Sequence, residues 1–161
     1  MSSTSQPKAK LRPVHRAKLQ VADREAVEAG LSRLAGRQGA DWLNANSPYR
    51  TEPIRLIKSD YKANRLDYDS FAEYLGASAI VHCGDAWTYF GRALGAILNG
   101  DYYSAVHLAY YAELRAALSI LAREGIYIGN GLNLVISLGN TVEELTGDTT
   151  HSAVWRMFDA W

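Results

Sequence analysis

The sequence predicts a mainly α-helical fold: a bundle of about five to seven helices around a buried central helix, with a small β-hairpin near 126–138. Three observations predict it. Residues 101–125 carry two stripes at helical spacing, large (Tyr103, His107, Tyr110, Leu114, Leu118, Leu121) and small (Ala105, Ala109, Ala112, Ala116). A helix apolar on two sides belongs in an interior. Aspartates and glycines punctuate the rest as helix starts and stops. The stretch 126–140 is β-branched, glycine-punctuated and free of charge.

The elements follow in order. Residues 1–20 read as a flexible basic tail, with Lys8, Lys10, Arg12, Arg16 and Lys18 and no acid among them. Residues 21–161 read as one helical domain, expected to be the front part of a longer protein because the sequence stops on the aromatic Trp161. Asp23 caps a helix to about Leu34, with Gly36 at its end. Trp42 and Leu43 anchor a broken segment. Pro53 suits the first turn of a helix over 52–66 with Ile54, Ile57, Tyr61 and Leu66 on one side. Asp69 or Ser70 caps a short helix to Gly76, and 77–83 is ambiguous. Asp85 caps a helix over 86–98. Its Gly91 and Gly95 each cost about 1 kcal/mol relative to alanine, which predicts close packing as compensation. Asn99-Gly100 is a link so short that this helix and the central one are antiparallel neighbours. The Gly91/Gly95 side is then expected against the alanine stripe. Beyond Gly125, a Gly129-Asn130-Gly131 turn joins two strands, or the stretch is a loop and a short helix. Residues 141–145 read as a helical turn. Thr149 or Thr150 caps a last helix with Val154, Trp155, Phe158 and Trp161 on its apolar face.

The 161 residues suit a single core. No apolar run reaches membrane-spanning length, so no membrane contact is expected. Cys83 is the only cysteine, so no internal disulfide forms and a cytoplasmic location is the default. Net charge is zero, yet residues 1–65 hold 13 Lys+Arg against 6 Asp+Glu while 66–161 hold 4 against 11. Either the basic half faces RNA or DNA, or the halves attract each other or a second copy.

Chemistry is sparse. There is no Cys-x2-Cys, no His-Glu-x2-His, no phosphate-binding glycine loop and no Gly-x-Ser-x-Gly elbow. No metal or cofactor is expected. His82 and Cys83 are adjacent and point apart on most backbones. The candidate site residues are His107, Tyr111, Glu113 and Arg115 on the central helix, and His151 at the start of the last. Buried ionisable groups need partners. A histidine or tyrosine among them handles a proton or an RNA phosphate, or the group is a hydrogen-bonded core.

Ala-Tyr-Tyr-Ala-Glu-Leu-Arg-Ala-Ala at 109–117, followed by Leu-Ala at 121–122 and Gly-Ile at 125–126, resembles the core helix of HEPN-like helical bundles. Thr-His-Ser-Ala-Val-Trp at 150–155 resembles one bacterial branch with this helix. The resemblance covers about residues 84–161. It implies a bundle of about four or five helices, often dimeric, common in bacterial toxin–antitoxin and antiviral defence systems. Many members cut RNA with an Arg-x4-His motif. Here the positions five residues before each histidine are Lys10, Ala77, Tyr102 and Thr146, so the motif is absent from this sequence. The expectation is a non-catalytic binding and assembly module of a defence or stress system, partnered by a second copy or another protein. The alternative is an RNA-binding or RNA-cleaving enzyme in which His107 and His151 act. A third option is a small-molecule sensor using the Trp/Tyr-rich region.

Overall fold

The computed structural model describes residues 13–35, 42–145 and 149–161. Among them are six α-helices, a short 3-10 turn at Pro48–Arg50 and one three-stranded antiparallel sheet. A helical bundle with a small β element is therefore what the sequence encodes. Residues 1–12, Gly36 and the neighbouring 37–41 lie outside the described residues.

Residues 13–20, expected within the tail, are helical. Pro13–Val21 forms helix α1, and His15 on it is buried. Asp23 then caps α2 (Arg24–Leu34): its carboxylate accepts from the Ala26 amide at 3.0 Å and from the Tyr68 hydroxyl at 2.8 Å. Between α1 and α2 the backbone docks on a strand edge, the Asp23 amide donating to the Ile136 carbonyl at 2.8 Å. Helix α3 (Pro53–Lys62) starts on Pro53 as expected but ends before Leu66, and only Ile57 of its apolar side is fully buried; Ile54 is exposed.

The main departure is helix α4. The short helix, the ambiguous segment and the next helix are one element of 31 residues, Tyr68–Leu98, capped by Asp67. Gly76 is not a stop. A Cβ there would lie 2.8 Å from the Leu31 side chain. Reciprocally, a Cβ on Gly30 would sit 2.8 Å from both the Ala72 carbonyl oxygen and the Glu73 amide nitrogen. Each glycine lets α2 and α4 touch, and the contact holds the helix through the position where propensity alone reads an end.

Helix α5 (Tyr102–Arg123) begins on its expected cap, Asp101, and ends at Gly125 with φ 87. Three strands follow: β1 (Ile126–Gly129), β2 (Leu132–Ser137) and β3 (Thr141–Glu144). The hairpin turn is Asn130-Gly131, with Gly131 at φ 74. Residues 141–145, read as a helical turn, instead pair with β2 through Ser137↔Thr141 to Leu134↔Glu144. Cross-strand pairing outweighs a local preference too short to resist it. Helix α6 (Thr150–Ala160) closes the fold and buries Val154 and Met157, while Trp161 is exposed.

Strand β2 is buried on both faces and separates two apolar clusters. Leu132, Leu134 and Ile136 face Val27, Ile57, Phe71 and Leu75. Val135 faces Leu114, Leu121, Val154 and Met157. Period-2 alternation sends one set each way. In the first cluster, Trp42, Tyr49, Phe71, Tyr74 and Tyr127 meet edge to face, with centroids 5.8–6.5 Å apart.

The central helix is interior over half its length only. Ala112, Leu114, Ala117, Leu121 and Ala122 are buried, but Tyr103 is 95% exposed and Val106 73%. His107 and Tyr110 are exposed as well. The distal part of α4 and the first half of α5 form a hairpin that leaves the body. Gly91 and Gly95 do not lie on the alanine stripe: nothing comes within 4 Å of a Cβ built on either. Ala93, between them, is the buried residue of that stretch.

Gly30→Ala is expected to lower stability by about 1–3 kcal/mol, because the clash is with backbone rather than a flexible side-chain end. Urea denaturation followed by circular dichroism measures it. A midpoint unchanged or raised, as helix propensity alone would give, contradicts the close α2–α4 contact.

Candidate functional site

The α4–α5 pair has two flanks, and each holds part of the expected chemistry. On one flank a cleft of about 470 Å³ opens between α4, α5, β1 and the start of α6; Tyr74, His82, Arg115, Tyr127, Asn130 and His151 are among its walls. On the other flank lies an apolar groove of similar volume, bounded by Cys83, Trp87 and Phe90 of α4 and by Ala112, Glu113 and Ala116 of α5.

Arg115 and His151 thus share a wall of one cleft, as candidates drawn from two elements. His107 and Tyr111 sit further along α5 as a ring pair, 4.8 Å between centroids, with Tyr89 of α4 stacked on Tyr111. Tyr110 connects this patch to His151: its hydroxyl is 2.9 Å from His151 Nδ1 and the rings are nearly parallel. Trp155 lies against Tyr110. Glu113 belongs to the opposite groove and is exposed, so it needs no buried partner.

The residue that sequence reasoning passed over is His82. Arg115 Nη1 donates to His82 Nδ1 at 3.0 Å and lies 3.5 Å from Asp85 Oδ2. A guanidinium only donates, so Nδ1 accepts and the neutral ring carries its proton on Nε2. Burial pushes the His82 imidazole below its ordinary value, and the Arg115 cation adds to that; Asp85 acts the other way. A signal existed. His82 and Asp85 are three residues apart and share a helix face, and a cation such as Arg115 in an alanine-rich helix needs a partner. Asp85 was assigned to a cap because the helix was expected to start there. His82 and Cys83 do diverge, one lining the cleft and the other the groove.

The cleft is anchored from both ends. Ser119 Oγ donates to the Ala79 carbonyl at 2.7 Å, tying α5 to α4, and Thr150 Oγ1 donates to the Gly129 carbonyl at 2.9 Å, tying α6 to β1. Chemically the arrangement offers one fixed cation, one neutral imidazole and an exposed second imidazole, His151, beside tyrosines. Among the described residues no three His, Cys, Asp or Glu side chains are grouped to hold a metal ion, and no helix is long and apolar enough to cross a membrane.

The charge asymmetry is partly spent inside the molecule. Arg24 lies 3.6 Å from Glu124, Arg33 lies 3.6 Å from Asp69, and Lys18 pairs with Glu143. Each joins the basic first part to the acidic second. Compared with known proteins, the chain matches no family model, no curated protein and no solved structure.

The His82 geometry carries a pH signature. A ring that resists protonation only when folded leaves the unfolded chain binding more protons. Stability therefore rises with pH up to the unfolded value near 6.5 and falls as pH drops below it. His82→Gln should flatten the loss of stability as pH falls below about 6.5. In an NMR titration His82 should protonate below 6.5 and move part of the way up in Arg115→Met. A wild-type His82 titrating as a free imidazole contradicts this geometry.

Proposed function

We propose that this chain is a binding and assembly module of the HEPN-like helical type, acting in a bacterial defence or stress system. One observation carries the reading: the α4–α5 hairpin leaves the body with an apolar outer face. Trp87 is 70% exposed and Leu98 87%, and Phe90, Leu94, Ile97, Tyr102 and Val106 are exposed beside them. Scattered apolar residues on a surface are ordinary, but a contiguous patch of this kind marks an interaction site. Within residues 80–98 only His82, Asp85 and Arg92 are ionisable apart from Cys83 and Tyr89. The patch thus lacks the cation density that a nucleic-acid backbone requires.

A second reading has its own observation. The cleft sets Arg115 against His82 with His151 on the same wall, an arginine and two imidazoles of the sort that can bind and cleave an RNA phosphodiester. No Arg-x4-His motif supplies this arrangement; it comes from two helices and the start of a third.

Light scattering across a dilution series tests assembly. The wild type should exceed monomer mass at high micromolar concentration, and Trp87→Asp with Leu94→Asp should return it to 17.8 kDa with helix content unchanged. A wild type that stays monomeric throughout and is unaffected by the two substitutions contradicts assembly through this face. For the second reading, structured RNA is incubated with wild type and with His82→Ala/His151→Ala. Cleavage confined to the wild type supports it, and equal cleavage by both, or none by either, removes it.

A further inference from the structure

The exposed face of α4 has an internal order. Ile80, Gly84, Trp87, Gly91, Leu94 and Leu98 follow at steps of four, three, four, three and four, and all six are exposed. That is the spacing of a coiled-coil seam. The opposite face of the same stretch, Ala86, Tyr89, Ala93 and Ala96, is turned toward α5 and less exposed. The two seam glycines weaken the helix, and nothing within 4 Å fills the space above either.

We propose, resting on the assembly reading, that the seam binds a second copy of this chain, antiparallel, about a two-fold axis level with Tyr89. The seam matches itself when its direction is reversed. Reversing it about position 89 sets Ile80 opposite Leu98, Gly84 opposite Leu94, and Trp87 opposite Gly91. Each glycine meets a large side chain, and no two bulky central residues collide. A parallel pair in register would instead set Trp87 on Trp87 and glycine on glycine, leaving holes where the antiparallel pair has knobs.

Asp85 and Arg92, the only carboxylate and the only guanidinium of residues 80–98, lie off the seam, and Asp85 is held 3.5 Å from Arg115 of α5. The seam itself carries no charge, so apolar fit sets the register. The seam runs about 28 Å and ends at the exposed hairpin tip. The antiparallel arrangement brings that tip, with Leu98 and Tyr102, against the base of the other hairpin beside Ile80. Isologous contact of this kind closes after two copies and exposes no further edge.

Single cysteines in a Cys83→Ser background read the geometry with a short bis-maleimide. Phe90→Cys, beside the axis, should cross-link to a dimer, while Ile80→Cys alone should not, its two copies being about 27 Å apart. Mixed Ile80→Cys and Leu98→Cys chains should cross-link to each other. Gly91→Leu supplies a second readout. It restores helix propensity and adds apolar surface, so it should keep or raise helix content in the isolated chain. Yet it should weaken the dimer at least about tenfold by filling the hole that Trp87 enters. Cross-linking of Ile80→Cys alone, or a Gly91→Leu dimer as tight as wild type, overturns the register while assembly stands. A chain monomeric at all concentrations overturns both, whereas a seam occupied by a different protein in place of a second copy overturns the second-copy pairing and leaves the binding reading standing.

Discussion

The constraint behind most of this architecture is the three-residue link, Asn99-Gly100-Asp101, between α4 and α5. Asn99 closes the last turn of α4, its amide bonded to Gly95 and Ala96 carbonyls, and Gly100 at φ 75 turns the chain into the Asp101 cap. So short a connection keeps the two helices in contact, and here they run antiparallel along much of their length. Helix α4 spans about 46 Å and α5 about 33 Å, while the body covers α4 continuously only from Phe71 to Ala77. The hairpin therefore has to project. What projects is apolar on its outer side, and the functional reading rests on that surplus.

The body is built by a different device. Strand β2 is short, uncharged and buried on both faces, so it acts as a partition with an apolar cluster on either side. Helices α2 and α3 and the first part of α4 pack on one side. Helices α1, α5 and α6 contribute to the other. The same strand takes in the α1–α2 connection through the Asp23–Ile136 and Leu138–Val21 backbone bonds. Glu73 is the polar counterpart. Buried on α4, it accepts from the Asn44 amide at 2.8 Å and lies 3.9 Å from Arg33, pinning the irregular segment around Leu43. The rigid base of the hairpin, and with it the cleft holding His82 and Arg115, is a product of these two layers.

The glycines show how one residue type serves opposite purposes in one protein. Gly30 and Gly76 allow helix backbones to meet, and a methyl group at either would strike a neighbour. Gly84, Gly91 and Gly95 have open space above them. In sequence all five are simply glycines within helical patterns, read as a stop, a packing face or nothing. The distinction needs the neighbour across the contact.

Much of the fold was nonetheless legible in the residues. Asp23, Asp101, Pro53 and Gly125 mark helix ends because caps and turns are local chemistry. The Asn130-Gly131 hairpin and the neighbouring α4–α5 pair follow from links short enough to hold successive elements together. The order of helices and the small β element were open to reading for the same reason. Tertiary contact decided the rest. It carried α4 through Gly76, drew residues 141–144 into the sheet, docked α1 through His15, and left half of α5 in the open. It also moved the candidate chemistry. Arg115 and His151 came together, His107 and Glu113 went to separate surfaces, and His82 entered from a helix 33 positions away. Helical periodicity records which face of an element is apolar. It holds no record of what covers that face, because burial belongs to pairs of elements and not to one.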